Sequence, residues 1–201
     1  MKRLIVGVAF KLLLLGAAVA AQQPEATSAK TPEAAAIRAE AENSSRAFMN
    51  GDFRKVLDLT YPRLIEMGGG REKMLAAVED QLKEMRDLGM KIISHRVGEP
   101  QPSVRAGDKL VAIVPTVLRM ESPEYVFEQN SFWLAVSNDE GKSWRFIDGS
   151  SLDAHLLKLL LPEAVGKLKL PAVTQPLMER KPATPKAEGV TRQEIPATKN
   201  S

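Results

Sequence analysis

The chain has 201 residues, of which 28 are basic and 25 acidic, giving a formal net charge of +3, and it contains no cysteine. This length suffices for one domain with its own core plus appended segments. The lack of cysteine excludes a disulfide framework and thiolate chemistry. The composition therefore predicts a domain whose stability comes from packing.

The first 21 residues have the pattern of a secretory signal peptide. A basic start precedes an apolar run over residues 4–15, which only Lys11 interrupts, and small residues follow. This pattern predicts cleavage after Ala20 or Ala21 and a periplasmic or secreted protein. An uncleaved membrane anchor is the alternative, but Lys11 divides the apolar run into pieces that are short for a bilayer.

Removal of this segment changes the charge balance. Lys2, Arg3 and Lys11 are its charged residues, so the remaining chain has 25 basic and 25 acidic residues. A neutral chain lacks the broad positive field that nonspecific nucleic-acid binding needs. We therefore expect no nucleic-acid partner and, after cleavage, no stable membrane span.

Helix signals begin after a polar linker over residues 22–30. The sequence Thr31-Pro32-Glu33 supplies an N-cap, a first-turn proline and an acid. The helix that it opens is expected to stop at Gly51. Asp52 is the predicted N-cap of a second helix, which Pro62 ends or kinks.

A third helix is predicted over residues 71–88, followed by Gly89 as its C-terminal signal. Charged residues largely occupy its other faces. Its apolar residues recur at the i, i+3, i+4 spacing of an amphipathic helix: Met74, Leu75, Val78, Leu82, Met85 and Leu88.

Strand signals then replace the helical ones. Residues 90–97 and 109–120 are apolar, β-prone runs, and Pro115 in the second predicts an edge position or a bulge. Residues 125–148 predict a β-hairpin, with one tryptophan on each arm and a glycine-containing turn between them. Helices followed by strands favour an α+β class with an antiparallel sheet.

The C-terminal part contains a short helix and a tail. The leucine-rich stretch from Ala154 to Leu161 predicts the helix, and the packed domain is expected to span residues 31–171. The stretch 172–201 contains repeated prolines and few large apolar residues. It is predicted to be a disordered tail, because it cannot bury enough surface to offset its ordering entropy.

The order of elements resembles a known superfamily. The break Gly51-Asp52-Phe53, the run GKSWRFID over residues 141–148 and the LKLP ending at Pro171 carry the likeness. Together they are similar to exported bacterial members of the nuclear transport factor 2-like superfamily. The resemblance implies a cystatin-like cone, in which N-terminal helices pack on a strongly curved antiparallel β-sheet. That superfamily includes ketosteroid isomerases, dehydratases and noncatalytic binding domains, so the fold does not settle the function.

No catalytic residue is predicted. The isomerase branch uses an aspartate base and a tyrosine donor, and Tyr61 and Tyr125 are the only tyrosines here. Asp52, Asp58 and Asp148 are conceivable catalytic acids. However, Asp52 is better explained as a helix cap, Asp58 as a solvated helix residue and Asp148 as a turn former at a strand end. A lyase or isomerase acting in the cone pocket therefore stays the alternative to a noncatalytic domain.

Metal and cofactor sites are likewise not predicted. His95 and His155 are the only histidines, and neither has a second histidine or an acidic pair at ligand spacing.

Binding is the favoured function. Period-two alternation places Tyr125, Phe127, Gln129 and Trp133 on one face of their strand, while Phe132 and Leu134 lie on the other. Both faces carry apolar bulk, so one is expected to face the helices and the other a partner or a second copy in a homodimer. A filled core is the competing interpretation. A small molecule or a protein is the expected partner, and the predicted ligand-binding residues are Tyr61, Tyr125, Phe127, Gln129 and Trp133.

Overall fold

A computed structural model describes residues 31–182 of the chain. The predicted signal peptide, the linker and residues 183–201 lie outside the described residues. The described helices are α1 (Pro32–Met49), α2 (Phe53–Asp58), α3 (Pro62–Met67), α4 (Arg71–Asp87) and α5 (Ala154–Leu160). Two short 3₁₀ helices span Gly149–Ser151 and Pro162–Ala164.

The predicted helix signals act as expected. The Thr31 side chain accepts a hydrogen bond from the Ala34 amide at 3.1 Å, and Asp52 accepts one from the Lys55 amide at 3.1 Å. Gly89 follows α4 with a φ of 71°, the left-handed conformation that favours glycine after a helix. The predicted bounds of α4 are therefore confirmed to within one residue.

Six strands form one antiparallel sheet. They are β1 (Lys91–Val97), β2 (Val104–Ala106), β3 (Lys109–Glu121), β4 (Tyr125–Ser137), β5 (Arg145–Asp148) and β6 (Leu177–Arg180). Strand β3 pairs with β4 along its whole length and with β1 and β2 on its other side. Strand β4 pairs with β5 and β6. The sheet is strongly curved and packs with the helices, which confirms the α+β prediction.

Pro115 corrects one expectation, because it lies inside the central strand β3, opposite Phe132, rather than at an edge. Its carbonyl accepts a hydrogen bond from the Gly98 amide at 2.8 Å, on the side where β1 has just ended and β2 has not begun. The carbonyl and nitrogen of one residue point to the same side of an antiparallel strand. The nitrogen of Pro115 therefore faces the end of β1, so its missing N–H does not interrupt the pairing of β3 with β4.

The predicted hairpin is formed by β4 and β5, and Asp139 closes its turn. Its carboxylate accepts hydrogen bonds from the Ser137 hydroxyl at 2.7 Å and from the Ser143 amide and hydroxyl at 2.9 and 2.7 Å. These bonds, those from Ser143 foremost, lower the pKa of Asp139 to about 2. Glu140 and Gly141 adopt positive φ at the tip.

The two faces of the sheet hold separate cores. On one face, Phe132, Leu134 and Ile147 pack with Tyr61 and with leucines of α5. On the other face, Trp144 and Phe146 pack with Ile37 of α1. We call these the α5 face and the α1 face. The α5 face over Phe132 and Leu134 is thus covered by helix α5 of this chain.

The C-terminal segment corrects another expectation. Leu177–Arg180 forms β6 and pairs with Tyr125–Glu128 of β4, and Lys181 forms an ion pair with Glu121 at 2.8 Å. The prediction of a disordered tail is therefore wrong for this stretch. All four side chains of β6 are exposed, so backbone pairing rather than apolar burial holds the strand.

None of the helices between Thr31 and Pro182 combines the length and the apolar character required to span a bilayer.

Candidate functional site

A row of aromatic rings crosses the α1 face. Phe53 contacts Phe48 edge to face at 6.2 Å between centroids, and Phe48 contacts His95 at 5.7 Å. His95 lies 4.9 Å from Trp133, which lies 5.4 Å from Phe146. We call these five residues the aromatic row. It joins the beginning of α2 to the hairpin strands through the middle of the sheet.

His95 is fixed in the row by Ser45 of α1. The Ser45 hydroxyl donates a hydrogen bond to the His95 carbonyl at 2.9 Å, and its oxygen lies 2.9 Å from Nδ1 of His95. When the hydroxyl proton is donated to the carbonyl, the Nδ1 tautomer that carries the ring proton donates to the Ser45 oxygen. Burial lowers the pKa of His95, and nearby Asp148 opposes that shift. The imidazole is therefore neutral at pH 7.

An open groove begins where the aromatic row ends. It encloses about 300 Å³ between the end of α1, the beginning of α2, the C-terminal half of α4 and the beginning of β1. We call it the α4 groove. Its apolar lining consists of Phe48, Met49, Phe53, Leu82, Met85, Met90 and Ile92. Gly51 also lines it, in the loop between α1 and α2.

The groove lies where α4 meets the beginning of β1. The helix packs mainly on α2 and α3, and none of its residues is buried. Leu82 and Met85, which belong to the predicted apolar stripe, are only half-buried. The apolar stripe of α4 thus forms one wall of the groove, and the aromatic row begins at the opposite wall.

The charged residues of the groove lining are both basic. Arg86 follows Met85 in the last turn of α4, and Lys91 begins β1. The lining includes no aspartate or glutamate. The groove therefore combines an apolar interior with positive charge at one end.

Four of the five predicted ligand-binding residues share the α1 face of β4. Tyr125 and Phe127 lie with ring centroids 6.3 Å apart at the open end of the strand, and all four of these side chains are half-buried. Trp133 is part of the aromatic row, and Gln129 lies between these groups by alternation. The unpaired hydroxyl of Ser131 is buried on the same face.

Tyr61, the fifth predicted residue, lies elsewhere. It belongs to the buried cluster of the α5 face, where burial raises the pKa of its hydroxyl. The structure therefore does not bring Tyr61 together with Tyr125 or Trp133.

The three aspartates have structural positions. Asp52 caps α2, Asp58 forms an ion pair with Arg71 at 2.7 Å, and Asp148 accepts a hydrogen bond from the Ser150 amide at 2.7 Å. Each is exposed, so none faces a tyrosine across a cavity. Between residues 31 and 182, no group of three or more histidine, aspartate or glutamate side chains is placed to hold a metal ion.

Sequence reasoning missed most of this site. Phe48, Phe53 and His95 were not predicted as site residues, because their pairing depends on how α1 and α2 meet β1. A lone histidine in a strand carries no spacing signal. The methionines of α4 were predicted only as part of its apolar stripe, and their partial exposure depends on where the helix docks.

Comparison of the chain with protein-family models, with curated proteins and with solved structures found no match.

Proposed function

We propose that this chain is a noncatalytic binding domain that holds a small apolar molecule in the α4 groove. The observation that carries the proposal is an open groove of about 300 Å³ with a lining of aromatic, methionine and branched apolar side chains. Ligand sites are concave, mostly apolar and about 300–1,000 Å³ in volume. The groove lies at the lower end of that range.

The composition of the lining supports an adaptable site. Three of the eight methionines of the chain, Met49, Met85 and Met90, line the groove. Methionine is unbranched and polarisable, so a lining of this kind adjusts to ligands of different shapes. Phe48 and Phe53 provide a more rigid wall, because their edge-to-face contact restrains both rings.

The alternative function, a lyase or isomerase, receives no support from this geometry. Proton transfer needs an acid or base within hydrogen-bond reach of the substrate. The groove lining contains no carboxylate, and the imidazole of His95 is packed between Phe48 and Trp133.

Superfamily and location are part of the same proposal. Helices on a strongly curved antiparallel sheet agree with the nuclear transport factor 2-like superfamily, and we propose membership on that likeness of architecture together with the order of elements. The pattern of the first 21 residues supports export to the periplasm or medium. Fractionation of cells that express the full chain tests the export proposal. Mass spectrometry of the exported protein should give Ala21 or Gln22 as its N-terminal residue.

Native mass spectrometry tests the binding proposal. The protein is purified from the periplasm of an expression host under conditions that preserve noncovalent complexes. We expect a mass above that of the chain, which disappears on denaturation. The variant Met85→Gln places a polar amide in the groove wall and should lose most of the added mass.

Leu159→Gln is the matched control for this variant. Leu159 is 41% exposed on α5, on the other side of the sheet, so the same chemical change there should leave the added mass intact. A bare chain in every preparation, or equal loss in both variants, would contradict the proposal. A protein that copurifies in place of a small molecule would contradict it as well.

A further inference from the structure

Arg86 occupies a specific place in the groove wall. It follows Leu82 by four residues and Met85 by one, so the three side chains share one side of α4. The neighbouring Asp87 is paired with Lys83 at 2.8 Å. Within residues 31–182, Arg86 has no carboxylate within ion-pair distance. Its guanidinium is therefore available to a group that enters the groove.

Lys91 adds positive charge at the same end. It lies directly opposite Glu121 in the β1–β3 ladder, but the Glu121 carboxylate is held by Lys181 at 2.8 Å. The hydrogen bond from Lys181 is the main reason that the pKa of Glu121 is lowered. The Glu121 carboxylate is thus already paired with Lys181, and the charged residues in the groove lining, Arg86 and Lys91, are both positive.

We propose that the natural ligand of the α4 groove is an amphiphilic anion, with an unbranched or flexible apolar chain and a terminal carboxylate that Arg86 binds. This inference rests on the proposed binding function and adds the chemical class of the ligand. The apolar chain lies along Met85 and Phe53, and the carboxylate meets the fork of guanidinium N–H donors. Because the lining has no acid, a cationic head is disfavoured.

Calorimetric titration of the full chain with three single-chain amphiphiles tests the proposal. Dodecanoate, dodecanol and dodecyltrimethylammonium have the same apolar chain and negative, neutral and positive heads. Below their aggregation concentrations, dodecanoate should bind tightest and dodecanol about ten-fold more weakly, since hydrogen bonds to charged groups are worth about that factor. The ammonium compound should bind weakest. Added salt should narrow the gap between dodecanoate and dodecanol.

Two charge-matched variants test whether Arg86 is the residue that binds the carboxylate. Arg86→Gln should lower the affinity for dodecanoate about ten-fold, to that of dodecanol, and leave dodecanol binding unchanged. Lys73→Gln removes the same charge from the same helix at an exposed position outside the groove lining, and it should change neither affinity.

The outcomes separate this inference from the function on which it rests. Equal binding of dodecanoate and dodecanol, with both weakened by Met85→Gln, would overturn the inference and leave the groove as an apolar site. Failure of every amphiphile to bind would overturn both proposals. Self-association that Met85→Gln abolishes would also overturn both, because it would assign the groove to a second copy of the chain.

Discussion

The two faces of the sheet differ in how completely the chain covers them. On the α5 face, Phe132 and Leu134 are 1% and 0% exposed, and a helix that follows the sheet in sequence covers them. On the α1 face, Trp133 and Phe127 are half-buried, and α4 packs mainly on α2 and α3. The same strand, β4, supplies residues to both faces. How completely helices cover each part of the sheet, rather than strand composition, therefore decides which residues are fully buried and which keep exposed apolar surface.

This contrast separates stability from function within one sheet. A closed face contributes free energy of folding because its apolar surface is fully removed from water. A half-covered face leaves apolar surface that a ligand is able to bury. The following predictions test this division, in order of decreasing expected effect on stability.

Phe132→Ala should have the largest effect. Phe132 is 1% exposed and packs in the cluster of the α5 face, so truncation leaves a cavity beneath the sheet. We expect a loss of about 3–5 kcal/mol in the free energy of unfolding. Chemical denaturation followed by tryptophan fluorescence measures it. A loss below about 1 kcal/mol would show that this face is not closed.

Gly149→Ala should cause the second-largest loss of stability. A Cβ atom at this position would lie 2.6 Å from both the carbonyl oxygen and the ring of Phe132, and backbone does not yield easily. Overpacking of this kind costs about 1–3 kcal/mol. Gly68→Ala is the control, because its new Cβ comes close only to the flexible side chain of Met74, at 2.7 Å, and lies at 3.4 Å from the Leu64 carbonyl oxygen. If thermal unfolding shows equal losses for the two variants, the tight contact with Phe132 is not the cause.

His95 should make stability depend on pH. Its folded-state pKa lies below the ordinary value of 6.5, so below that pH the unfolded chain takes up the proton first. The contribution of neutral His95 to the free energy of unfolding is thus fully present above pH 6.5. It is lost as the pH falls toward the folded-state pKa. The difference in unfolding free energy between the wild type and His95→Gln should shrink over that range.

The exposed His155 supplies the control for this titration. His155→Gln makes the same replacement outside the aromatic row, and urea denaturation at each pH between 7 and 5 compares both variants with the wild type. A wild-type curve that follows His95→Gln instead would show that the histidine of the aromatic row is not responsible.

Phe127→Ala should have the smallest effect. Phe127 is half-buried at the open end of β4 and pairs across the ladders with Met120 and Met178. Because part of its ring stays exposed to water, we expect a smaller loss than for Phe132→Ala, about 1 kcal/mol in urea denaturation. A loss equal to that of Phe132→Ala would remove the difference between the two faces.

The sequence predicted local structure better than it predicted which surfaces of the sheet the helices cover. The apolar stripe from Met74 to Met85 and the cap at Gly89 specify α4 from neighbouring residues alone, and the hairpin follows from its turn. Strand β6 was missed, because Leu177–Arg180 offers only two large apolar residues between prolines and depends on backbone pairing with β4. Pro115 was misplaced, because its tolerance depends on the gap between β1 and β2.

The candidate site shows the same limit. Alternation along β4 correctly placed Tyr125, Phe127, Gln129 and Trp133 on one face, since the period of a strand is local information. Tyr61 was grouped with them only by residue type, and it packs on the opposite face. The lining of the α4 groove comes from four segments of the chain, so no local sequence pattern predicts the groove. The homodimer through the sheet stays a prediction.

Methionine methyl resonances provide the most direct test of the central claim, that the α4 groove is a binding site. Methyl-labelled full chain is titrated with dodecanoate and followed by NMR. Met49, Met85 and Met90 line the groove, whereas Met67 and Met178 are 47% and 52% exposed elsewhere. The account predicts saturable shifts of the first three resonances and none of the last two. Shifts confined to Met67 and Met178, or no shifts at all, would contradict it.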